Sequence, residues 1–475
     1  MQHRAPTLAH RSTTEPVGPV VAAVRQNGGR PTARPVARPG PERWLWRVAF
    51  WAGLAASVAA WWLNTPVDAL RGNGTALAAA GRITGLAGGY LLIVQVLLMS
   101  RLGWLERAIG ARYLNLWHRE LGGFLVVAIL AHAVLITFGY ARIEGTGVLA
   151  QSWGLVTRDK DMLTATLATV MLVGIGLLGI RALRRALPYE VWYYLHLAAY
   201  LALFLGYAHQ FSAGEELALP GWARTFWIGL YLAGIAAVAW GRVLAPLRLN
   251  LRHRLRVAGT VDEAPDVVSV YVTGRRLDEL DARAGQFFRW RFVTRRSWWQ
   301  SHPFSLSAAP NGRWLRLTVK TVGDGTAELR RLPAGVRVLV DGPCGEFTAD
   351  RRLRSRTLLI AGGSGIGPIR ALLEELPPGA VVVYRASSAD DLALRGELEW
   401  LAQARGADLL YVVGGRDDPM PRRLFTPEGL RAAVPDVAER DAYLCGPPGL
   451  VDTSRELLRA LRVRRRQIHV DPFEF

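Results

Sequence analysis

The sequence predicts a multidomain membrane protein: an all-α bundle of six transmembrane helices, then an antiparallel β-barrel, then an α/β domain with a parallel sheet. Three observations lead to this fold class. Six long apolar stretches occupy the first half of the chain, strand-like alternation follows from about residue 248, and apolar strands alternate with helices from Thr357 onwards. Alternation of the last kind is typical of a parallel sheet covered by helices.

The composition agrees with a membrane protein and argues against nucleic-acid binding. Of the 475 residues, 51% are hydrophobic and 17 are tryptophans. The formal net charge is +19, but Lys160 and Lys320 are the only lysines. The charge therefore reflects a chain-wide preference for arginine, and no basic groove lined by aromatic residues is visible. The two cysteines, Cys344 and Cys445, fall in the part predicted to be cytosolic, where a structural disulfide is not expected.

The chain begins with a segment that has no apolar periodicity. Residues 1–42 are rich in proline, glycine and arginine, which predicts a disordered basic tail. The first apolar stretch starts only near Trp44, so we expect no signal peptide.

Each of the six apolar stretches is long enough to span a bilayer. They lie near residues 44–63, 76–100, 117–140, 162–181, 190–211 and 224–243. Arginines concentrate in the tail and in the segments 101–116 and 182–189, whereas the loops on the opposite side carry few. The positive-inside rule therefore predicts a multi-pass protein of the cell membrane with both termini in the cytoplasm.

Four histidines lie inside two of these stretches. His118 and His132 are 14 residues apart in the third stretch, and His196 and His209 are 13 apart in the fifth. Each interval covers about 20 Å along a helix, most of a hydrocarbon core of about 30 Å. Two such helices side by side could hold two haems, one per leaflet, with an axial histidine from each helix. The alternative is that the histidines form hydrogen bonds between helices or face a polar cavity.

The 13-residue interval does not fit a regular helix. At 3.6 residues per turn, 14 residues miss a common face by about 40°, and 13 miss it by about 140°. We therefore expect the fifth helix to bend, with Gly206 as a candidate soft point, or the two haems to lie at different azimuths.

Two motifs in the predicted barrel suit a flavin nucleotide. In the strand HPFSLS, Phe304 and Leu306 would share one face and Ser305 the other, where its hydroxyl could hydrogen-bond a flavin ring. The alternative is an ordinary barrel strand. Residues 320–326 then lead into a short helix, and their glycines would expose backbone N–H groups to a diphosphate.

Two further glycine motifs follow strands of the predicted α/β domain. Residues 362–368, GGSGIGP, link an apolar strand to a helix. That context makes a phosphate-binding loop credible, although the spacing is not that of GxGxxG. Residues 445–448, CGPP, repeat the arrangement of strand, turn and helix. The sequence ends on Phe475, an aromatic residue that can stack on a ring and be displaced.

In this order, HPFSLS, GGSGIGP, CGPP and a terminal aromatic residue resemble the ferredoxin–NADP reductase family. Joined to a six-helix, four-histidine domain, the arrangement resembles the ferric reductase and NADPH oxidase superfamily over about residues 43–475. The resemblance implies a tail followed by a transmembrane di-haem domain, a barrel that binds FAD and a domain that binds NAD(P). These four parts are 1–42, 43–246, 247–350 and 351–475.

The resemblance also implies roles for residues around the flavin. Ser305 would contact the flavin ring, in a pocket shaped by neighbours on the same strand. Those neighbours are His302, Pro303 and Phe304. Gly325 and Thr326 would hold the FAD diphosphate at the short helix, and Phe475 would cover the flavin until the nicotinamide displaces it.

Further roles concern the second nucleotide and the haems. The diphosphate of the nicotinamide nucleotide would lie on the glycine loop, at Gly362, Gly363, Gly365, Gly367 and Pro368. Cys445 and Gly446 would lie near the nicotinamide. The haem ligands would pair across the two helices, His118 with His196 and His132 with His209.

The nucleotide itself could be NADPH or NADH. Arg385, Ser387 and Ser388 follow a predicted strand at the place where a 2′-phosphate would arrive, and no acidic residue stands at the strand end. This favours NADPH. Asp390 and Asp391 follow soon after and leave NADH open, and Arg385 could also be an ordinary solvated arginine.

The predicted function is transmembrane electron transfer. NAD(P)H would pass a hydride to FAD, and single electrons would then cross two b-type haems to oxygen or a ferric chelate outside. The resemblance places Arg82 near the outer haem, with an anchor at the membrane interface as the alternative role. Ile136 stands where the oxidases tend to have a further histidine, which weakens the superoxide interpretation and leaves room for ferric-chelate reduction.

Two other functions stay open. One is a flavin dehydrogenase that is anchored by a haem-free bundle and serves a quinone or a protein partner. The other is a binding protein in which the reductase motifs are vestigial. No segment for docking a partner is recognised, so the expected partners are the lipid bilayer and a small-molecule acceptor.

Overall fold

A computed structural model describes residues 43–65, 70–295, 297–321, 324–415 and 417–472. The described residues up to 245 form one compact unit, and those from 246 form a second. The predicted tail, 1–42, and the terminal Phe475 lie outside the described residues.

The first unit is helical throughout. Its helices are α1 (Arg43–Asn64), α2 (Asn73–Leu98), α3 (Gly103–Ile109), α4 (Ala111–Glu144), α5 (Val148–Arg158), α6 (Met162–Leu178), α7 (Arg181–Ala186), α8 (Tyr189–Leu197), α9 (Ala199–Ser212), α10 (Glu215–Ala218) and α11 (Trp222–Val238). A π-helical segment, Ala239–Leu244, follows α11 and leads into α12 (Ala245–His253).

Four helical segments are long and apolar enough to cross a membrane. They are Gly74–Leu98, Tyr113–Glu144, Val191–Ser212 and Trp222–His253. α5 and α6 would add a fifth span if they count together, although the chain bends by 113° between them. α1 contributes a shorter apolar stretch, Trp44–Ala59. Among the described residues, length and composition thus support four or five spans, where the sequence predicts six.

Glycines bring α2 and α4 into close contact. A Cβ atom added at Gly81, Gly85 or Gly88 of α2 would come within 2.5–2.8 Å of a side chain of α4. From the other side, a Cβ at Gly139 of α4 would lie 2.6 Å from the backbone nitrogen of Ala78. Small residues allow membrane helices to approach this closely. α2 and α4 are therefore tightly packed, and α2 lies directly against the helix that carries His118 and His132.

In the second unit, most of α12 comes first, and two three-stranded antiparallel sheets follow it. Their strands are β1 (Arg256–Ala264), β2 (Val267–Thr273), β3 (Phe287–Phe292), β4 (His302–Ser305), β5 (Trp314–Lys320) and β6 (Val338–Cys344), in the orders β1-β2-β5 and β4-β3-β6. Isolated bridges, Arg256–Arg337 and Leu306–Leu317, join the edges of the two sheets. The structure therefore shows two bridged sheets, and the ladders do not by themselves establish the predicted continuous barrel.

Alternation along β3 shows how these sheets bury their core. Phe288, Trp290 and Phe292 point inwards, and the residues between them are half-buried. This is the period of two that a half-buried strand requires. β4 pairs with β3 so that Ser305 lies opposite Phe287.

The rest of the unit is a five-stranded parallel sheet with helices. The strands are β7 (Thr357–Gly362), β8 (Val381–Ala386), β9 (Asp408–Val413), β10 (Asp441–Gly446) and β11 (Ile468–Pro472), in the order β11-β10-β7-β8-β9. The helices are α13 (Asp324–Ala327), α14 (Ile366–Glu375), α15 (Arg395–Arg405), α16 (Pro419–Leu424), α17 (Pro427–Ala433) and α18 (Pro448–Ala460), of which α13 precedes this sheet. The parallel order brings the carboxyl ends of β7, β10 and β11 to one edge, where ligands bind in such folds.

Candidate functional site

The four histidines of the helical unit form two pairs. The rings of His118 (α4) and His196 (α8) have centroids 5.8 Å apart and stand nearly perpendicular, at 83°. The rings of His132 (α4) and His209 (α9) have centroids 6.5 Å apart, at 41°. The structure therefore brings together the same partners that the sequence pairs.

The two pairs fit the axial ligation of a metal. Two imidazoles that share one ion at about 2 Å per nitrogen have ring centroids roughly 6 Å apart. The Nδ1 atoms of His118, His196 and His209 are buried and, among the described residues, have no hydrogen-bond partner. No group of three or more potential metal ligands occurs in that part of the chain. Each pair thus offers two ligands, which suits a metal that brings its other ligands in a macrocycle.

The irregular interval in the fifth stretch has a structural explanation. The helix ends at Leu197 and begins again at Ala199, so the stretch consists of α8 and α9. The N–H of Ala198 donates to the carbonyl of Leu195 at 3.1 Å, three residues back. Such a tight turn adds rotation, in the sense that brings a 13-residue interval nearer to one face. Gly206, the predicted soft point, lies inside α9, and the interruption falls eight residues earlier.

The first pair is surrounded by polar and aromatic side chains. Gln95 Nε2 donates to the carbonyl of His118 at 3.0 Å, and Trp192 stacks on His196 with centroids 5.3 Å apart. Arg242, in the π-helical segment, donates through Nε and Nη2 to the carbonyl of Met99, at 2.9 and 2.7 Å. The guanidinium of Arg242 is close enough to interact electrostatically with both His118 and His196.

Arg242 is a residue that the sequence analysis did not identify. In the described part of the chain no carboxylate forms an ion pair with it. Its signal was available, because it is an arginine at the end of an otherwise apolar stretch. A cation in such a place is costly and usually functional.

Arg82, the predicted residue of the outer end, has two acidic partners. Its Nη1 lies 2.6 Å from Glu215 Oε2 and 3.8 Å from Glu216 Oε1. Tyr140 donates its hydroxyl to Glu215 at 3.5 Å. Arg82 follows Gly81, whose carbonyl accepts the Nδ1–H of His132 at 2.8 Å, so the cluster lies beside the second pair. The positive charge of Arg82 is therefore largely balanced.

Ser305 lies on β4, where the sequence predicts a contact with flavin. Its Oγ donates to Asp471 Oδ2 at 3.0 Å, and the side chain is buried. On the same strand the rings of His302 and Phe304 stack with centroids 5.8 Å apart, and Pro303 between them is half-buried. The carbonyl of Phe304 accepts from Trp290 Nε1 at 2.9 Å, which fixes the strand against the core.

Asp471 and Cys445 complete this cluster. They are paired in register on β11 and β10, and Cys445 Sγ donates to the carbonyl of Asp471 at 3.6 Å. Burial raises the pKa of Asp471 to about 6, and the hydrogen bond from Ser305 offsets part of that effect. Burial also raises the pKa of the Cys445 thiol well above its ordinary value, so the thiol stays neutral. Asp471 was missed by the sequence analysis because its partner Ser305 is 166 residues away.

The glycine loop connects β7 to α14. Gly363 has φ +54 and, with Ser364, is the more accessible part of the loop. A Cβ at Gly365 would lie 2.3 Å from the carbonyl oxygen of Cys445, and one at Gly367 would lie 3.2 Å from Ser307 Cβ. Gly365 is thus required for close packing and Gly367 packs tightly, while the turn at Gly363 and Ser364 leaves its backbone more accessible.

The motif CGPP lies at the end of β10, and the short helix that the sequence predicts after residues 320–326 corresponds to α13. Gly446, with φ +153, stands where a Cβ would come 3.0 Å from the backbone of Gly362, so the two nucleotide-loop strands meet closely. Thr326 lies in α13, which begins after the undescribed residues 322–323. Pro368 is buried at the start of α14.

Arg385 is engaged by backbone at the end of β8. Its Nη2 donates to the carbonyl of Gly415 at 3.0 Å, and its Nη1 to those of Val412, at 3.3 Å, and Ala386. Ser387 is exposed. Ser388 donates to Asp391, whose carboxylate caps the following turn. The structure therefore orders Arg385 through protein carbonyls and leaves the choice between NADPH and NADH open.

Three family models match successive parts of the chain. A ferric reductase like transmembrane component matches residues 84–207. An FAD-binding domain matches residues 257–348, and an oxidoreductase NAD-binding domain matches residues 359–456.

Curated relatives match about half of the chain or less. The ferredoxin reductase component of 3-ketosteroid-9-alpha-monooxygenase from Mycolicibacterium smegmatis is 32% identical over 46% of this chain and 65% of its own length, so the chain spans just under two thirds of that relative. Ferredoxin–NADP reductase B from Sorangium cellulosum is 31% identical over 36% of this chain and 77% of its own length. The FAD/NAD-binding domain of a nitric oxide dioxygenase from Vibrio cholerae aligns at 24% identity and a TM-score of 0.38, over 46% of this chain and 98% of that domain.

Proposed function

Because this chain belongs to the ferric reductase and NADPH oxidase superfamily and is a multi-pass membrane oxidoreductase that uses NAD(P)H and FAD, we propose that it carries electrons across the membrane. Electrons would pass from cytoplasmic NAD(P)H through FAD and two b-type haems to an acceptor on the outer face. The acceptor would be a ferric chelate or molecular oxygen.

The pairing of the four histidines carries this proposal. Ring separations of 5.8 and 6.5 Å suit two bis-histidine haem sites. The pairs are separated by 14 residues along α4, about 20 Å along the helix axis. This spacing supports one haem in each leaflet. Six spans, with α1 and the α5–α6 pair included, a closed FAD-binding barrel, a plasma-membrane location and cytoplasmic termini complete the proposed architecture.

The side chains around the pairs would bind and orient the haems. When bound, haem exchanges one electron at a time, NAD(P)H gives up a hydride, and flavin can do both. Gly81 holds the ring of His132 so that its Nε2 is free to ligate, and Gln95 ties the backbone of His118 to α2. Arg242 places positive charge beside the inner pair, where it would balance the carboxylates of a haem.

In the second unit the cluster of Ser305, Asp471 and Cys445 would face the reacting rings. Ser305 would hydrogen-bond the flavin. The carboxyl group of Asp471, which accepts the hydrogen bond of Ser305, would carry a proton at mildly acidic pH. Gly363 and Ser364 would bind the diphosphate of the nicotinamide nucleotide. Gly325 and Thr326 would hold that of FAD, and Phe475 would cover the flavin.

The charge at the outer pair bears on the acceptor. Arg82 would stabilise a superoxide anion only if its positive charge were available, but Glu215 and Glu216 balance it. Ile136 offers no further polar group at this end. Both features favour a ferric chelate over oxygen as the acceptor.

Turnover in liposomes tests the proposal. The purified chain should give a b-type haem band after reduction by dithionite, with two haems per chain. With NADPH or NADH on the reductase side, a membrane-impermeant Fe(III) chelate trapped on the other side should be reduced, with and without oxygen. A dismutase-sensitive probe reports superoxide in parallel. A chain that oxidises NAD(P)H but contains no haem would instead support the anchored flavin dehydrogenase, and absence of any product beyond the membrane would contradict transmembrane transfer.

A further inference from the structure

A buried ion pair joins the two parts of the second unit. Arg316, on β5, is only 1% exposed, and its Nη1 donates to both carboxylate oxygens of Glu397, at 2.8 Å each. Glu397 lies on α15 of the α/β part. A buried guanidinium is costly unless it is fully paired, so this contact is a specific connection between the sheets of the FAD-binding part and the helices of the NAD-binding part.

The remaining donors of Arg316 are also satisfied. Its Nε donates to Ser307 Oγ at 3.0 Å, its Nη2 to the carbonyl of Ser307 at 2.8 Å, and its Nη1 lies 3.3 Å from the hydroxyl of Tyr271. Burial alone would lower the pKa of Arg316, but Glu397, Tyr271 and Glu263 together outweigh burial and raise that pKa above its ordinary value. Arg316 is therefore a permanent cation, and its guanidinium is oriented by Ser307 on one side and by Glu397 on the other.

Glu397 also serves a second arginine. Arg370 Nε, on α14, lies 3.1 Å from Glu397 Oε2, although its N–H forms no hydrogen bond within the described residues. Arg370 also pairs with Glu374 on its own helix. Burial, and then the charge of Arg316, lowers the pKa of Arg370 to about 10. One carboxylate thus lies between two buried guanidiniums, which would repel each other without it.

This network touches both nucleotide motifs. Ser307, which Arg316 holds through two hydrogen bonds, is two residues from Ser305 in the segment HPFSLS, residues 302–307, which we call the flavin strand. A Cβ at Gly367, in the glycine loop, would lie 3.2 Å from Ser307 Cβ. The flavin strand and the glycine loop therefore meet at Ser307, directly beside the ion pair.

The C-terminal end of α14 is also hydrogen-bonded to the FAD-binding part. Glu374 accepts the N–H of Ala309 at 3.1 Å, and Glu375 accepts that of Ala284 at 3.1 Å. α14 starts at the glycine loop, so it is held at its beginning by packing on Ser307 and at its end by these two glutamates. We call this contact between the FAD-binding and NAD-binding parts the seam, and the pair of Arg316 and Glu397 is its buried ion pair.

We infer that Glu397 is a positioning residue for hydride transfer. By holding Arg316 and Arg370 together, it sets the distance and angle between the glycine loop and the flavin strand, and so between nicotinamide and flavin. The step it serves moves one hydride, which oxidises the nicotinamide and reduces the flavin without another reactant. Misplacement of reacting groups by about 1 Å can slow a reaction about a hundredfold, so such a residue can matter without touching either ring.

The test is anaerobic stopped-flow reduction of FAD in the full chain, with Glu397→Gln compared with wild type. We expect the limiting rate of flavin reduction to fall at least about tenfold. The dissociation constant of NAD(P)H and the FAD content should change less than about twofold. The charge-transfer absorption between nicotinamide and flavin, which reports ring overlap directly, should weaken.

A matched control lies on the same helix. Glu399 pairs with Arg395 at 2.8 Å and is exposed, so Glu399→Gln removes the same kind of pair without touching the seam. An unchanged limiting rate in Glu397→Gln, or a rate loss matched by equal losses of nucleotide affinity and FAD, would overturn the inference. If Glu397→Gln does not fold, Glu397→Asp, which keeps the charge and shortens its reach by one methylene, is judged by the same criteria. The experiment depends only on NAD(P)H oxidation by FAD, so its outcome is independent of the haems.

Discussion

His132 donates its Nδ1 hydrogen to the carbonyl oxygen of Gly81, at 2.8 Å, across two neighbouring helices. One turn further along α2, Gly85 provides the space in which the ring lies, because a Cβ there would be 2.5 Å from His132 Nδ1. α2 therefore both orients this imidazole and makes room for it. A partner of this kind fixes the tautomer of a metal-binding histidine and leaves Nε2 for the metal.

Loss of one histidine of the outer pair should remove one haem only. In His132→Leu or His209→Leu, the haem content should fall from two per chain to about one. The inner pair should keep its haem, because His118 lies 14 residues before His132 on α4 and its partner His196 lies on α8. Haem extracted per mole of protein measures this directly. Ile136→Leu, a conservative change one turn beyond His132, is the control and should keep both haems. Retention of two haems in either histidine variant would contradict the pairing.

Gly85→Ala should disturb the outer site without removing a ligand. The new methyl group would displace the ring of His132 and lengthen its hydrogen bond to Gly81, because the nearest neighbour of that methyl is a rigid imidazole. We expect a shifted absorption band of one haem and faster loss of that haem to apomyoglobin. Gly88→Ala is the matched control, since the nearest atom to its Cβ would be the flexible end of Ile129, at 2.8 Å. Equal effects of the two substitutions would mean that helix packing, and not the ring, is affected.

Arg242→Gln should lower the reduction potential of the inner haem. A nearby positive charge favours the reduced iron, so its removal should shift the midpoint by tens of millivolts to more negative values. Arg242→Lys, which keeps the charge, should retain most of the wild-type potential. Spectroelectrochemical titration separates the two haems. A potential that stays the same in Arg242→Gln would show that the guanidinium only caps the carbonyl of Met99.

Asp471→Asn should change how stability depends on pH. Burial raises the pKa of Asp471 to about 6, so the native state binds this proton more tightly than the unfolded chain does. The carboxyl therefore favours folding below about pH 4, and that contribution is lost as the pH rises through about 6. Asparagine stays neutral, so the variant should gain up to about 3 kcal/mol over wild type above about pH 7 and nothing below about pH 4.

Thermal unfolding across this pH range measures the difference. Asp452→Asn, which removes an exposed carboxylate paired with Arg455, is the control. Stopped-flow reduction of FAD across the same pH range should show a change in rate near pH 6 in wild type and none in Asp471→Asn. A stability difference that does not vary with pH would mean that the pKa of Asp471 is the same in the native state and in the unfolded chain.

The sequence predicted those features whose causes are local. The glycine loop was recognisable because strand, turn and helix follow one another within residues 357–375. The histidine pairs were recognisable because a spacing of 13 or 14 residues corresponds, through the helical rise, to a known distance along the helix axis. α5 and the sharp bend before α6 were not predicted from the sequence, since the loop between the third and fourth stretches is only moderately apolar.

Contacts between distant segments could not be predicted. Arg316 and Glu397 are 81 residues apart, and Ser305 and Asp471 are 166 apart, so neither pair leaves a spacing to detect. Gly365 shows a subtler limit. Its motif predicts phosphate binding, yet its glycine identity is required because the backbone of Cys445 passes 2.3 Å from where a Cβ would stand. A motif reveals that a glycine is needed, whereas only the fold reveals which neighbour needs it.

The interruption at Ala198 divides one membrane-crossing stretch into two short helices, each with its own histidine. His196 therefore takes its orientation from α8 and His209 takes its own from α9, so that one residue, Ala198, sets the angle between the two imidazoles.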